Sequence, residues 1–285
     1  MTTLEFGPKW SASLRRGPEA ELRGWVDAAL AWCVETDATA MKHFRADLDV
    51  ERKPDQTFVT IADTTIEQRL RERIADAFPK HGVIGEEFGD EAAGAATRWY
   101  IDPIDGTHNY MRGIPVFATL LAVERDGEIQ AAVISAPGLR TRWGAWRGGG
   151  AWAMATIGGT PRRLAVSKVD ALADAQVLFT SETDIARSGR APGLRKVLAG
   201  SWRERGFGDF WSYTLVAEAA AEVMVEVGLK PWDAAAPFLL VEEAGGRVTD
   251  LEGRRVIDSA SLLATNGLLH EQVRAMLLEG REDEG

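Results

Sequence analysis

Cysteine is nearly absent from this chain: Cys33 is the only one in 285 residues. A lone thiol excludes an intrachain disulfide and points to a reducing compartment, the cytoplasm. Histidine is also sparse. His43, His81, His108 and His270 are scattered and form no HExxH pattern, which argues against zinc. Long apolar runs are missing as well, and no basic N-terminal stretch leads into an apolar core. Neither a membrane helix nor a leader segment is therefore expected. Basic charge is in deficit, with 33 Lys+Arg against 43 Asp+Glu and a net charge of −10. That balance disfavours nucleic acid and anionic membranes as partners. A small anionic substrate stays compatible with it, because bound cations reverse a local field. With 45% hydrophobic residues, 27% charged residues and no biased segment, the chain is expected to fold around a substantial core.

What the chain does have is an organising stretch, Trp99-Tyr100-Ile101-Asp102-Pro103-Ile104-Asp105-Gly106-Thr107-His108-Asn109. It starts as an apolar strand and ends in a turn with two carboxylates three residues apart. Pro103 offers no backbone donor and disfavours helix at Asp102, so the strand is expected to stop there. Gly106 permits a sharp turn, and Thr107 is positioned to open a short helix whose N–H groups face the same pocket as the acids. Such a combination suits a metal-bridged phosphate; alone, it also fits a solvated acidic turn.

Upstream, Leu22, Trp25, Ala29, Cys33, Met41 and Phe44 recur near helical spacing and predict an amphipathic helix from Glu19 to about Phe44. A short strand is expected over Leu48 to Arg52, broken by Lys53-Pro54-Asp55. A second helix should run from Asp63 to about Phe78, burying Ile66, Leu70, Ile74 and Phe78, with Glu67, Arg71 and Arg73 off that stripe. Thr60 and Asp63 resemble a capping box. Asp63 is thus either a helix-end charge or a site residue, and spacing alone favours the charge. Val83-Ile84 leads into Gly85-Glu86-Glu87, of which one acid would enter a pocket unless the pair lies in a surface loop. A polar loop follows over Asp90 to Thr97.

Downstream come strands over Phe117–Glu124 and Ile129–Ala136, joined by an Asp126-Gly127 hairpin turn, and a further strand over Arg140–Arg147. Gly148-Gly149-Gly150 lacks the setting of a dinucleotide loop and reads as a turn. A boundary near residues 150–160 divides an N-terminal α+β part, 1–155, from a C-terminal α/β part, 156–285. The second part alternates a strand at Gln176–Phe179, helices at Gly193–Ala199 and Trp211–Ala221, and a strand at Ala221–Val227. An apolar helix then runs from Pro231 to Ala244, stopped by Gly245-Gly246, before a strand at Leu262–Thr265 and a helix at Leu268–Leu278. The fold class is α/β with layered helices and sheets.

Five acids sit at element ends: Asp63, Glu86, Asp102, Asp105 and Asp233. Asp233, in the first turn of an apolar helix, is either a dipole-stabilising charge or a metal ligand. The order of Gly85-Glu86-Glu87, Asp102-Pro103-Ile104-Asp105-Gly106-Thr107 and Trp232-Asp233 with Glu243-Ala244-Gly245-Gly246 resembles the inositol monophosphatase superfamily of Mg²⁺-dependent phosphomonoesterases. Asp63 stands where that family places an acid ahead of the first motif, and the resemblance extends from about Glu19 over nearly the whole chain.

The resemblance implies a sugar-phosphatase fold of alternating helix and sheet layers and a homodimer. It implies one Mg²⁺ held by Glu86, Asp102 and the Ile104 carbonyl, and a second held by Asp102, Asp105 and Asp233. A third, weaker ion would use Glu86 and waters. Two divalent ions about 4 Å apart clamp a phosphate, activate water and stabilise a leaving alkoxide. Asp63 and the Thr107 hydroxyl would orient and deprotonate the water, and the Gly106 and Thr107 N–H groups would bind phosphate. Within the superfamily the chain is most similar to bacterial histidinol-phosphate phosphatases. That similarity lies in Ser135-Ala136-Pro137, the Arg142-Trp143 to Gly150 run, and Gly208-Asp209-Phe210-Trp211-Ser212-Tyr213. Asp209 and Glu226 align with contacts to the leaving alcohol, where two carboxylates suit an imidazole N–H and an ammonium. They also fit a solvated loop acid and a strand-end acid. His108 departs from the Lys usual in that group, which keeps inositol 1-phosphate or a broad range of sugar phosphates as the alternative substrate class.

Overall fold

The structure, a computed structural model, describes residues 18–45, 50–52, 58–91 and 94–279. It divides into two compact units, one running to Arg163 and the other beginning at Leu164.

The N-terminal unit contains α1 (Pro18–His43), β1 (Val50–Arg52), β2 (Phe58–Thr60), α2 (Ile61–Ala77), β3 (Gly82–Gly85), β4 (Gly89–Asp90), β5 (Thr97–Asp105) and α3 (Thr107–Met111). It continues with β6 (Ala118–Arg125), β7 (Glu128–Ala136), β8 (Thr141–Trp146), β9 (Gly150–Ala155) and β10 (Arg162–Arg163). Eight strands form one sheet in the order β10-β9-β8-β7-β6-β5-β3-β4. Only the β3–β5 pair is parallel; the others are antiparallel. The hairpin turn at Asp126-Gly127 is present, with both residues at positive φ (55° and 80°), the geometry that matches strand twist.

The apolar stripes of α1 and α2 explain their place. Trp25, Ala29, Leu30 and Cys33 of α1 and Ile66, Leu70 and Ile74 of α2 bury against Trp99, Ile101, Leu121, Val123 and Val133 of the sheet. Met41, expected in that stripe, is 43% exposed instead. Residues 48 and 49 of the expected first strand and its expected break at residues 53–55 lie outside the described residues, as do two residues of the polar loop after Asp90.

The strand at the organising motif does not stop at Pro103. β5 continues to Asp105, but its register with β6 shifts between Asp102, opposite Leu120, and Asp105, opposite Ala118. The two intervening residues drop out of the ladder, which is how a strand accommodates a proline with no donor to give. The Thr119 hydroxyl donates to the Pro103 carbonyl (2.9 Å) and fastens this irregularity.

The C-terminal unit contains β11 (Gln176–Phe179), α4 (Glu182–Arg187), α5 (Ala191–Gly200), β12 (Arg203–Arg205), α6 (Asp209–Ala217), β13 (Val223–Val227), α7 (Pro231–Glu243), β14 (Arg247–Thr249), β15 (Ser261–Thr265) and α8 (His270–Leu278). Its five-stranded sheet runs β12-β11-β13-β15-β14. Val223 and Val225 of β13 join Leu194, Val197, Val273 and Leu277 of α5 and α8 in one apolar layer. The alternate residue Glu226 is bonded to Tyr213 of α6, as the two-residue period of a strand requires. α6 starts at Asp209 and ends at Ala217, earlier at both ends than the Trp211–Ala221 segment read from sequence. Gly208, at φ 68°, turns the chain into it.

Candidate active site

In the N-terminal unit the acids are placed by α2, the end of β3, and β5. Thr60 and Asp63 form the capping box: the Thr60 N–H (2.8 Å) and hydroxyl (2.6 Å) both donate to Asp63 Oδ2. The same carboxylate is fully buried, and among the described residues its Oδ1 has no hydrogen-bond partner. Burial pushes its pKa up to about 6; the nearby charge of Glu86 adds to the rise, and the Thr60 bonds oppose it. Asp63 is therefore both a cap and a solvent-shielded carboxylate with one oxygen available, where spacing alone favours the cap.

Asp102, itself buried, and Asp105 leave β5 on either side of the register shift, and a carboxylate oxygen of each lies within 4.8 Å of the other. Two close carboxylates with a carbonyl between them form the all-oxygen donor set of a hard cation, so the residues fit Mg²⁺. Gly106, at φ 82°, precedes α3 and turns the chain directly after Asp105. The Thr107 hydroxyl donates to the Ile104 carbonyl (2.9 Å), tying two of the expected site residues together. Glu86 follows β3 in a turn, and its N–H donates to Ile101 O (3.2 Å), one residue before Asp102.

In the C-terminal unit Asp233 lies in the first turn of α7 and accepts the Lys230 N–H (2.8 Å), again a capping arrangement. Glu226 is the strand-end acid of β13, and it is not exposed there. It is buried and accepts the Tyr213 hydroxyl (2.5 Å). Burial pushes its pKa up to about 8, opposed by the bond from Tyr213 and reinforced by the negative charges of Asp209 and Asp233. This unit thus gathers Asp209, Glu226 and Asp233 into one acidic neighbourhood. Asp209 opens α6 at φ 51°, a left-handed conformation uncommon for a residue with a side chain.

Ser135 and Arg142, two residues of the histidinol-phosphatase-like motifs, meet Asp37 of α1 in a buried network. Ser135 Oγ donates to Asp37 Oδ1 (2.7 Å), Arg142 Nη2 donates to Asp37 Oδ2 (2.6 Å), and Arg142 Nε donates to Ser135 Oγ (2.9 Å). This buried network locks α1 to β7 and β8. Cys33 sits beside it, and burial pushes that thiol up to about 12, so it is an inert core group.

Sequence reasoning misses Glu67. Its place off the apolar stripe of α2 reads as solvated, yet its side chain is fully buried and accepts N–H groups from the turn that carries Glu86. The available signal is its spacing of four residues from both Asp63 and Arg71, which places all three on one helical face.

Comparisons with known proteins agree on a family. The Inositol monophosphatase family model matches residues 21–282. A histidinol-phosphatase of Mycobacterium tuberculosis is 44% identical over 88% of this chain and 97% of its own length. A histidinol-phosphatase of Streptomyces coelicolor is 42% identical over 85% of this chain and 92% of its own. Among solved structures, the extragenic suppressor protein suhB of Bartonella henselae superposes with a TM-score of 0.82 at 29% identity, covering 90% of this chain and 99% of that one. The chain belongs to the inositol monophosphatase family.

Proposed function

We propose that this phosphatase hydrolyses L-histidinol phosphate to L-histidinol and phosphate, using Mg²⁺ and an activated water. Glu86, Asp102 and the Ile104 carbonyl would hold one ion, and Asp102, Asp105 and Asp233 a second. Glu86 with waters would complete a weaker third site. When bound, Mg²⁺ neutralises the phosphate and makes a coordinated water more acidic.

The chain's own residues do the rest. Asp63 Oδ1 accepts the proton of the attacking water as its oxygen bonds to phosphorus and the ester P–O bond breaks. Thr107, whose proton goes to Ile104 O, turns its lone pairs toward that water. The Gly106 and Thr107 N–H groups bind phosphate oxygens, and the departing alkoxide takes its proton from solvent. The working form in this proposal is a cytoplasmic homodimer, as the family resemblance and the single buried thiol suggest.

The observation that carries the substrate is the acidic neighbourhood of the C-terminal unit. Glu226 is buried, and the negative charge of Asp209 reaches it. A carboxyl held at a pKa of about 8 by burial beside another acid ionises at neutral pH only with a cationic partner. The ammonium and imidazole N–H of histidinol supply one, whereas the hydroxyls of inositol do not. The two relatives named histidinol-phosphatase, at 44% and 42% identity, support the same choice. His108 does not match the usual residue of that group, so inositol 1-phosphate is the informative competitor. The test is phosphate release from L-histidinol phosphate with Mg²⁺ and an EDTA control: EDTA-sensitive turnover is expected, and no release with Mg²⁺ would overturn the proposal.

A further inference from the structure

α2 carries a second buried carboxylate that this chemistry does not use. Glu67 lies one helical turn beyond Asp63 and is fully buried. Its Oε2 accepts the Glu87 N–H (2.7 Å), and its Oε1 accepts the Phe88 N–H (3.2 Å). Arg71, one turn further, donates Nε to Glu67 Oε1 (2.9 Å) and Nη2 to the Gly89 carbonyl (2.5 Å). A Cβ on Gly85 would lie 2.1 Å from Glu67 Oε1, so glycine is required for the carboxylate to sit there. On its other side the turn is fixed by the Glu86 N–H bonding to Ile101 O (3.2 Å). The backbone around Glu86 is therefore held at every residue from 85 to 89.

A buried carboxylate is expensive scaffolding for a turn whose outer residue, Phe88, is 48% exposed. The contacts account for it: two N–H groups that point inward are satisfied, and the Arg71 charge offsets the burial. We propose that Glu67, braced by Arg71, is a positioning residue that aims the Glu86 carboxylate at its metal ion. This rests on the reading of Glu86 as a Mg²⁺ ligand. Outer-shell partners of ligands change metal affinity by about 10–100-fold when lost.

The test is a double-mutant cycle on the full chain with Glu67→Gln, Glu86→Gln and the double variant, reading Mg²⁺ binding by isothermal titration calorimetry beside turnover. The amide introduced by Glu67→Gln keeps the volume but turns an NH₂ toward a backbone N–H, so it releases the turn. Glu67→Gln is expected to weaken Mg²⁺ binding about 10-fold or more and to raise the Mg²⁺ concentration for half-maximal turnover, with kcat at saturating Mg²⁺ changed less than about threefold. The double variant should bind Mg²⁺ no more weakly than Glu86→Gln alone, since Glu67 acts through Glu86. Additive losses, or unchanged binding in Glu67→Gln, would overturn the proposal. Unchanged binding in Glu86→Gln would instead overturn the ligand assignment. Should Glu67→Gln fail to fold, the same cycle with Arg71→Gln gives the decision: coupling to Glu86 supports the proposal and additivity overturns it.

Discussion

Replacing Asp63 by Asn separates capping from catalysis, because the two oxygens of Asp63 have different surroundings. Oδ2 takes both Thr60 bonds, and Oδ1 is buried with no partner among the described residues. Asn can keep the cap by turning its single carbonyl oxygen to the Thr60 N–H, losing at most about 1 kcal/mol. Against this, the carboxylate is raised from 3.8 to about 6, chiefly by burial. A folded pKa above the unfolded one gives stability that is present below the unfolded pKa and lost as pH rises through the folded pKa. At pH 7.5 the ionised group therefore costs roughly 3 kcal/mol in the metal-free protein.

The neutral amide escapes that cost, so metal-free Asp63→Asn should be more stable than the parent by on the order of 1–2 kcal/mol after the cap is counted. As the loss of a general base, the same change should lower kcat by about 10²–10⁴-fold, roughly 3–5 kcal/mol in barrier. Urea unfolding with EDTA gives the first quantity, and turnover of L-histidinol phosphate at saturating Mg²⁺ gives the second. The acid limb of the kcat profile, at or below pH 6 once a cation offsets Glu86, should vanish in the variant. A variant that is less stable yet turns over within about threefold of the parent would leave Asp63 a helix cap only.

Other outcomes follow from the same residues. Asp102→Asn should nearly abolish hydrolysis with the fold intact by circular dichroism, because it removes a shared ligand charge and no core volume; unfolding of the metal-free variant would undercut the assignment. Asp209→Ala should reduce kcat/KM for L-histidinol phosphate about 10-fold or more while sparing p-nitrophenyl phosphate, and equal losses on both would make Asp209 structural. His270, buried between the Thr249 and Thr265 hydroxyls (2.9 and 3.0 Å), is lowered to about 4 by burial and by Arg247. Its depressed pKa gives stability that is present above about 6.5 and lost as pH falls toward 4, up to roughly 3 kcal/mol. Urea unfolding across that range should show this loss in the parent and not in His270→Gln; parallel profiles would disprove it.

The elements legible in the sequence are those set by local chemistry. The capping box fixes the start of α2, Asp126-Gly127 fixes the β6–β7 hairpin, and Pro231 with Gly245-Gly246 bounds α7. The five acids are visible because each sits at such a boundary. What stays hidden depends on distant partners. Pro103 looks like a strand end, and only the Thr119 bond and the shifted pairing with β6 let β5 run on to Asp105. Glu67 looks solvated because the backbone it binds lies 20 residues away. Glu226 looks like a strand-end acid because Tyr213, which buries it, lies on a different element. β9 begins at the last residue of Gly148-Gly149-Gly150 and takes its register from β8, while β10, only Arg162–Arg163, takes its register from β9.

In the proposed reaction the acids of the C-terminal unit select a cationic leaving alcohol. That selection is tested most directly by kcat/KM for L-histidinol phosphate measured against inositol 1-phosphate under one Mg²⁺ concentration. A preference of about 100-fold or more for histidinol phosphate is expected, because only that alcohol would bring a positive charge to Asp209 and Glu226. An equal or reversed ratio would contradict it, keeping the phosphatase and removing the reason given for burying Glu226.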